Sequence, residues 1–414
     1  MLQQTTQTNI KVNLNSEYGI LNAVLLHRPG VEIERMTPQN AAHALYSDIL
    51  NKPIVDQEYS NFCGVLERWT KVYYVTDIVA QLLNDNATKE FLVRQSCQHD
   101  HCEQLIDTLL QHDSTTLAHE LIEGVESADC ADRYALKPLY NLFFTRDASS
   151  SVYNRVLINS MSFDVRERET LLYKTIFEKY FGAQTLNAQQ WNSQARTEGG
   201  DVQIARHDLL CIGQGIRTNR LGIDYLAQTF GKEREKFYII AQELPKEPES
   251  FIHLDMVFTF LSNHQCMAYE PMLKKTDNFA GKHTTLITIE GGKPSYCEYP
   301  NILAALKAVG MDMEPVLCGG SDLWQQQREQ WHSGANFFAL GPGKVLGYHR
   351  NTHTIDALDK AGFSILNAED ICSGKVDMRQ YEKFVAAFKA SELPRGGGGA
   401  RCMTMPINRG EDNL

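Results

Sequence analysis

One unit recurs along most of this chain: an amphipathic helical stretch, commonly closed by glycine, followed by a short apolar stretch of strand character. It occurs at 171–182 (LLYKTIFEKYFG), at 221–231 (LGIDYLAQTFG, then KFYIIAQ), at 302–310 (ILAALKAVG, then PVLC) and at 355–362 (IDALDKAG, then FSIL). A degenerate copy lies at 65–75 (VLERWTKVYYV). Glycine just past a helix takes the left-handed conformation that lets the backbone turn back. Strand-like pairs separate these stretches, at 152–160, 202–213, 257–271 and 336–350, the last with Gly-Pro-Gly at its turn. The segment ILNAVLLHRPG at 20–30 echoes KVLGYHRN at 344–351. Such units bury their apolar faces against one another, so about five of them predict a repetitive α/β domain arranged around a centre.

The stretch 77–134 breaks the pattern. ATKEFLVRQS, EQLIDTLLQH and STTLAHELIEGV all carry helical apolar spacing, without strand signals. An all-helical insertion at 77–134 is expected, within a main domain made of 1–76 and 135–414.

At 43% hydrophobic and 22% charged, the chain has material for a sizeable core. Its net charge of −11 argues against nucleic acid or an anionic membrane as partner. No apolar run is long enough to span a bilayer. The opening MLQQTTQTNIKVN lacks the basic and apolar stretches of a secretory signal. Ten cysteines, Cys130 among them, are scattered rather than framed, which fits reduced thiols in the cytoplasm. Cys97-Gln-His-Asp-His-Cys102 has zinc-type ligands but not the paired spacings of a zinc site, so no metal is expected there.

Near the end stands Arg395-Gly-Gly-Gly-Gly-Ala-Arg401-Cys402. Four glycines cost much conformational freedom when ordered, so they suit a backbone that approaches something closely or opens and closes over a site. Arg401 beside the thiol is expected to favour the reactive thiolate.

Ionisable residues cluster at the ends of expected strands: Asn141-Leu-Phe-Phe-Thr-Arg-Asp147, Glu198-Gly-Gly-Asp201 and His253-Leu-Asp255. Arg166 lies 19 positions after Asp147 (166−147) and Arg217 lies 19 after Glu198 (217−198). If the repeats are equivalent, both acids and both arginines converge on one axis. Paired carboxylates match a planar guanidinium, and arginines match a carboxylate. A ligand with those two ends is arginine, and a thiolate with a histidine at the guanidinium end would act as nucleophile and proton shuttle.

These segments resemble the arginine deiminases, within the guanidine-modifying pentein superfamily. The likeness continues through HRPG, MTPQNAAHALYSDIL, Glu329-Gln-Trp…Asn336, Tyr348-His-Arg-Asn351 and Cys402-Met-Thr-Met-Pro406, and covers nearly the whole chain. The resemblance implies a five-bladed α/β propeller with pseudo-fivefold symmetry. It implies hydrolysis of L-arginine to citrulline and ammonia, without metal or organic cofactor, by a homo-oligomer. Cys402 would be the nucleophile, and Asp147 and Asp255 would hold the guanidinium. His253 would move protons, supported by Glu198. Arg166, Arg217 and Asn141 would bind the α-carboxylate end.

Many members carry an arginine five residues before the nucleophile, where this chain has Gly397. Arg395 or Arg401 would then substitute in substrate binding. The alternatives are a hydrolase of citrulline or of another guanidine, and a silent amino-acid-binding protein. Agmatine, which lacks a carboxylate, is disfavoured by the retained arginines.

Overall fold

The structure is a computed structural model that describes residues 10–128 and 133–410. Cys130, part of the expected insertion and most of the opening stretch lie outside those residues. The repeat takes one recurring form: an antiparallel strand pair, a helix, then a strand returning parallel to the middle one.

Ser149–Val152 pairs antiparallel with Arg155–Ile158, which pairs parallel with Gln184–Leu186 after the helix Glu167–Thr175. Val202–Arg206, Leu209–Gln214 and Lys236–Glu243 repeat this around helix Arg220–Gly231. Phe258–Phe260, Gln265–Ala268 and Glu314–Leu317 repeat it around helix Ile302–Ala308. Phe338–Gly341 and Lys344–Tyr348 form the next pair. There Phe384–Phe388 takes the returning place, and Ser364–Asn367 lies beyond it at the sheet edge. Leu21–Leu26 pairs parallel with Lys71–Tyr74 after helix Lys52–Trp69, but its antiparallel partner is Met405–Arg409, from the far end of the chain.

The helices form where the apolar spacing places them. Ile223, Leu226, Ala227 and Phe230 make the buried stripe of Arg220–Gly231. Asn219 and Asn301 cap their helices by accepting the Gly222 and Ala304 amides, contacts each worth about 1 kcal/mol. Gly310 and Gly362 close helices at φ +85° and +87°, as expected. Gly231 does not: it is the last helical residue, and a Cβ there would stand 2.7 Å from Ile289. Close packing, not a turn, requires that glycine.

In 77–134 the helices are Asn86–His99, Ile106–Leu109 and Ser114–Glu123, preceded by Val75–Leu82. The segment is not wholly helical. Gly124 ends the last helix at φ +82°, and Val125–Glu126 pairs antiparallel with Tyr134–Leu136. The helices share one apolar core with Leu21–Leu26, Arg155–Ile158 and Met405–Arg409. Cys97 and Cys102 are buried in it, while His99 turns to Asp100 at 2.7 Å and faces Asp164 and Glu167 at 3.7 and 3.9 Å. Among the described residues no helix is long and apolar enough to cross a membrane.

Candidate active site

Each motif carries a polar residue just ahead of its first strand: Asp147, Asp201, Asp255, Asn336 and Cys402. The repeated topology therefore brings together side chains from five distant parts of the chain.

Asn336 ties three of these places together. Its Nδ2 donates to Cys402 Sγ at 3.2 Å and to the Asp255 carbonyl at 3.1 Å. Its Oδ1 accepts from the Arg401 and Cys402 amides at 2.8 and 3.2 Å. The Cys402 sulfur lies 3.8 Å from Asp255 Oδ2. Asn336 was part of a sequence motif without an assigned role. Its position two residues ahead of Phe338–Gly341, as Asp147 stands two ahead of Ser149–Val152, is the signal that marks it.

His253 is hydrogen-bonded to one acid and faces a second. Nε2 is 2.9 Å from Glu198 Oε2, and Nδ1 is 3.8 Å from Asp147 Oδ1. The glycines of Glu198-Gly-Gly-Asp201 make room for this. A Cβ on Gly200 would stand 2.5 Å from the His253 ring, and one on Gly199 2.0 Å from the Arg146 carbonyl. Asp201 accepts the Leu254 amide at 2.9 Å and so sets the turn that carries His253.

Each expected arginine meets the acid 19 positions before it. Arg166 Nη1 donates to Asp147 Oδ2 at 2.6 Å, and Arg217 Nη1 to Glu198 Oε2 at 3.1 Å. Their other donors differ. Arg166 also gives Nε and Nη2 to Glu169, a partner the sequence did not suggest, at 3.1 and 2.8 Å. Arg217 Nε is buried with no hydrogen-bond partner, and the guanidinium lies 4.7 Å from the Phe163 ring centroid. Asn141 Nδ2 donates to the Ala44 carbonyl at 2.8 Å.

A cavity of about 740 Å³ opens over this set. Asn141, Asp147, Arg166, Arg217, His253 and Cys402 line it, with Arg395 at its edge. Glu198 and Asp255 stand behind that lining, fully buried. Arg395 donates to Asp48 and to Glu392.

Arg401 does not reach the cavity. It is 1% exposed, and its guanidinium is taken up by Glu17, Asp255 and the Val202 carbonyl. The expectations that it binds substrate and that it holds the neighbouring thiol as thiolate both fail here. Burial raises the Cys402 pKa well above the ordinary thiol value, and Asp255 and Asp147 raise it further, outweighing Arg401. For His253, burial favours the neutral ring, but Asp147, Glu198 and Asp201 outweigh it and lift the pKa to about 9. Burial would raise Glu198, yet Arg217, His253 and Arg166 hold it at about 2. The two directions favour a thiol beside an imidazolium at neutral pH.

The glycine loop is packed against this floor. Gly398 lies on Phe144, where a Cβ would meet the ring at 2.4 Å, and its carbonyl accepts Tyr348 Oη at 2.8 Å. Gly397 has φ +85° and nothing within 4 Å of its Cβ direction.

The chain matches the family model for arginine deiminase over residues 99–409. It is 30% identical to the arginine deiminase of Mycoplasma capricolum subsp. capricolum, over 96% of this chain and 97% of that one. It is 29% identical to the arginine deiminase of Listeria innocua serovar 6a, over 96% and 98%. Among solved structures it resembles the product-bound N-terminal domain of ArgZ, an arginine dihydrolase from Cyanobacteria, with TM-score 0.54, 13% identity and coverage of 94% and 97%. It also resembles SxtG, an amidinotransferase from Microseira wollei, with TM-score 0.55, 16% identity and coverage of 97% and 98%. At those identities the likeness is one of fold, the mixed α/β pentein fold. With the family model covering three quarters of its length and a 30% identical relative spanning nearly all of it, the chain belongs to the arginine deiminase family.

Proposed function

We propose that this protein hydrolyses L-arginine to L-citrulline and ammonia through a covalent thiouronium on Cys402. The observation that carries the reading is one buried acceptor. Asp147 Oδ1 takes no hydrogen bond, and its carboxylate belongs to the same cavity lining as Cys402 and His253. An unpartnered carboxylate oxygen beside a sulfur and a histidine suits a guanidinium N–H.

Entry of the substrate cation offsets the acids that hold Cys402 as a thiol, so binding itself favours loss of the thiol proton, which goes to solvent because His253 is already protonated. The thiolate attacks the guanidinium carbon to give a tetrahedral adduct. His253 gives its proton to one nitrogen, the C–N bond breaks, and ammonia leaves the S-linked thiouronium. The neutral His253 then takes a proton from water as the water oxygen attacks the same carbon. The C–S bond breaks, releasing citrulline and the thiolate. Asp147 holds the substrate nitrogens from the cavity wall, Asp255 behind it adds negative charge at the guanidinium end, and Glu198 keeps the ring oriented and its proton available. At the other end Arg217, with its unused donor, takes the α-carboxylate, with Asn141 and Arg166 beside it. Arg395 at the rim supplies a further cation toward that end.

The same reading has the five motifs closing around one pseudo-fivefold axis as a propeller, with 77–134 inserted in the first unit. It further has the protein working in the cytoplasm as a homo-oligomer, which light scattering tests. The cysteines among the described residues are all free thiols, as a reducing compartment allows.

Incubation with arginine should yield citrulline and ammonia in equal amounts, and Cys402→Ala should abolish turnover. No citrulline from the folded wild type would reject the activity. Ornithine accumulating from citrulline would transfer the site to the alternative hydrolase reading.

A further inference from the structure

We propose that Arg401 and Glu17 are positioning residues: Glu17 holds the guanidinium fork of Arg401, and Arg401 holds the Asp255 carboxyl in place against the Cys402 sulfur and favours its charged form. The inference rests on Cys402 and Asp255 acting as described above.

Four observations support it. First, the Arg401 fork is saturated by the protein. Nε and Nη2 donate to the two Glu17 oxygens at 3.0 and 3.1 Å, Nη2 also to the Val202 carbonyl at 2.8 Å, and Nη1 to Asp255 Oδ2 at 2.8 Å. No direction is left for a substrate carboxylate. Second, the three side chains are buried: 2% exposed for Arg401, 7% for Glu17 and 0% for Asp255. Charges so withdrawn from water interact strongly and tolerate no missing partner. Third, the backbone of Arg401 and of its neighbour Cys402 is fixed by Asn336 Oδ1, so the strut and the nucleophile share one anchor. Fourth, Glu17 accepts the Ile204 amide at 3.3 Å, which fastens the strut to Val202–Arg206.

Asp255 needs this support. Burial favours its protonated form, and so does Asp147. Of the groups that face it, Arg401, Arg146 and His253 favour the carboxylate, and Cys402 adds a second negative charge once ionised. Arg401 alone among the three cations donates directly to Asp255. With Arg401 in place the net effect already lies above the ordinary carboxyl value, and without it the carboxyl would take up a proton more readily and lose charge facing a cationic substrate.

The test is the pH dependence of kcat/KM for arginine in four variants of the full chain. In Arg401→Gln the acid limb should move up by about one pH unit or more, the effect of removing an adjacent opposite charge. kcat/KM at neutral pH should fall about 100-fold as the reacting groups lose alignment. Arg401→Lys keeps the charge but not the fork, so its acid limb should stay near that of the wild type while kcat/KM remains reduced. Glu17→Gln should lower kcat/KM about tenfold without raising the limb, because Arg401 keeps its charge but loses an ionic leg of the fork. Should Arg401→Gln fail to fold, Glu17→Gln/Arg401→Gln removes both charges together and should show the same upward shift. An unmoved limb in the folded glutamine variants overturns the proposal. So does a rise in KM alone, which would mean direct contact with substrate, or a Glu17→Gln enzyme like the wild type. If the wild type itself makes no citrulline, the proposed activity fails instead, and the two failures are thereby distinguished.

Discussion

The two acid–arginine pairs of the site look interchangeable in the sequence and are not so in space. Asp147–Arg166 and Glu198–Arg217 share a spacing of 19 residues and a buried ion pair. Arg166 is gripped by two carboxylates, Asp147 and Glu169, and by the Phe144 carbonyl at 3.2 Å. Arg217 has Glu198, the face of Phe163 and a buried Nε with no partner. The donors of Arg166 are largely taken up by the acids beside it, while Arg217 keeps one buried donor without a hydrogen bond. An equivalent place in a repeat fixes where a side chain stands, and its neighbours fix what it is free to do.

The contrast is most exposed to attack through stability. Arg166→Met leaves Asp147 and Glu169 buried without their cation and should cost about 3–5 kcal/mol in urea unfolding. Glu169→Gln in the same chain should recover part of it. Arg217→Gln should cost less, because His253 and Arg166 still face Glu198. A loss as large as that of Arg166→Met would erase the distinction.

Kinetics should show the reverse order. Arg217→Gln should raise KM for arginine about 10- to 100-fold, the worth of a charged hydrogen bond to the α-carboxylate. Arg166→Lys, which keeps a cation between the acids, should raise it less. Equal effects from the two would mean that both arginines share the substrate carboxylate.

His253 bridges the two pairs, and pH reads it. Its folded pKa, about 9, lies above the ordinary histidine value, so its protonation stabilises the folded state fully below about pH 6.5. That contribution declines as pH rises toward 9. The stability advantage of the wild type over His253→Gln should therefore shrink between pH 6.5 and 9.5 in thermal melts. Glu198, at about 2, runs the other way: its contribution is present above about pH 4.5 and is lost as pH falls toward 2. A difference from His253→Gln that grows with pH would contradict the imidazolium. The raised thiol leads to a related result. Iodoacetamide should alkylate Cys402 of the free enzyme more slowly at pH 7 than an exposed thiol, with the rate rising with pH.

The smallest effect concerns Phe163, which faces Arg217 from the cavity wall. Phe163→Leu removes the ring and should raise KM about two- to fivefold, the scale of one cation–π contact. No change would show that Phe163 does not orient the arginine.

Much of the site was legible because the chemistry is written as spaced residue types. Asp147, Glu198, His253 and Asp255 were picked out from their places at strand ends, and Cys402 from the glycine run before it. Glu17 and Glu169 were not, since a lone glutamate ahead of a strand or within a helix carries no local mark of a buried partner. Arg401 was misread for a related reason. Adjacency to Cys402 in the chain suggested a cation for the thiol, whereas its side chain runs the other way, to Glu17 and Asp255. The glycine run was read as serving either close approach or opening over a site; Gly398 packs closely on Phe144.

The sequence by itself determined the repeating units, because amphipathic period and glycine punctuation act within a few residues of one another. It also determined the residue types of the candidate site, because the motifs hold them within a few positions of each strand. Only the tertiary structure decided that Met405–Arg409 completes the sheet begun by Leu21–Leu26, which closes the two ends of the chain on one another. It alone decided which arginine keeps a free donor and whether the nucleophile rests as a thiol. Those properties depend on burial and on charges brought in from distant segments, and both come into being only when the segments pack.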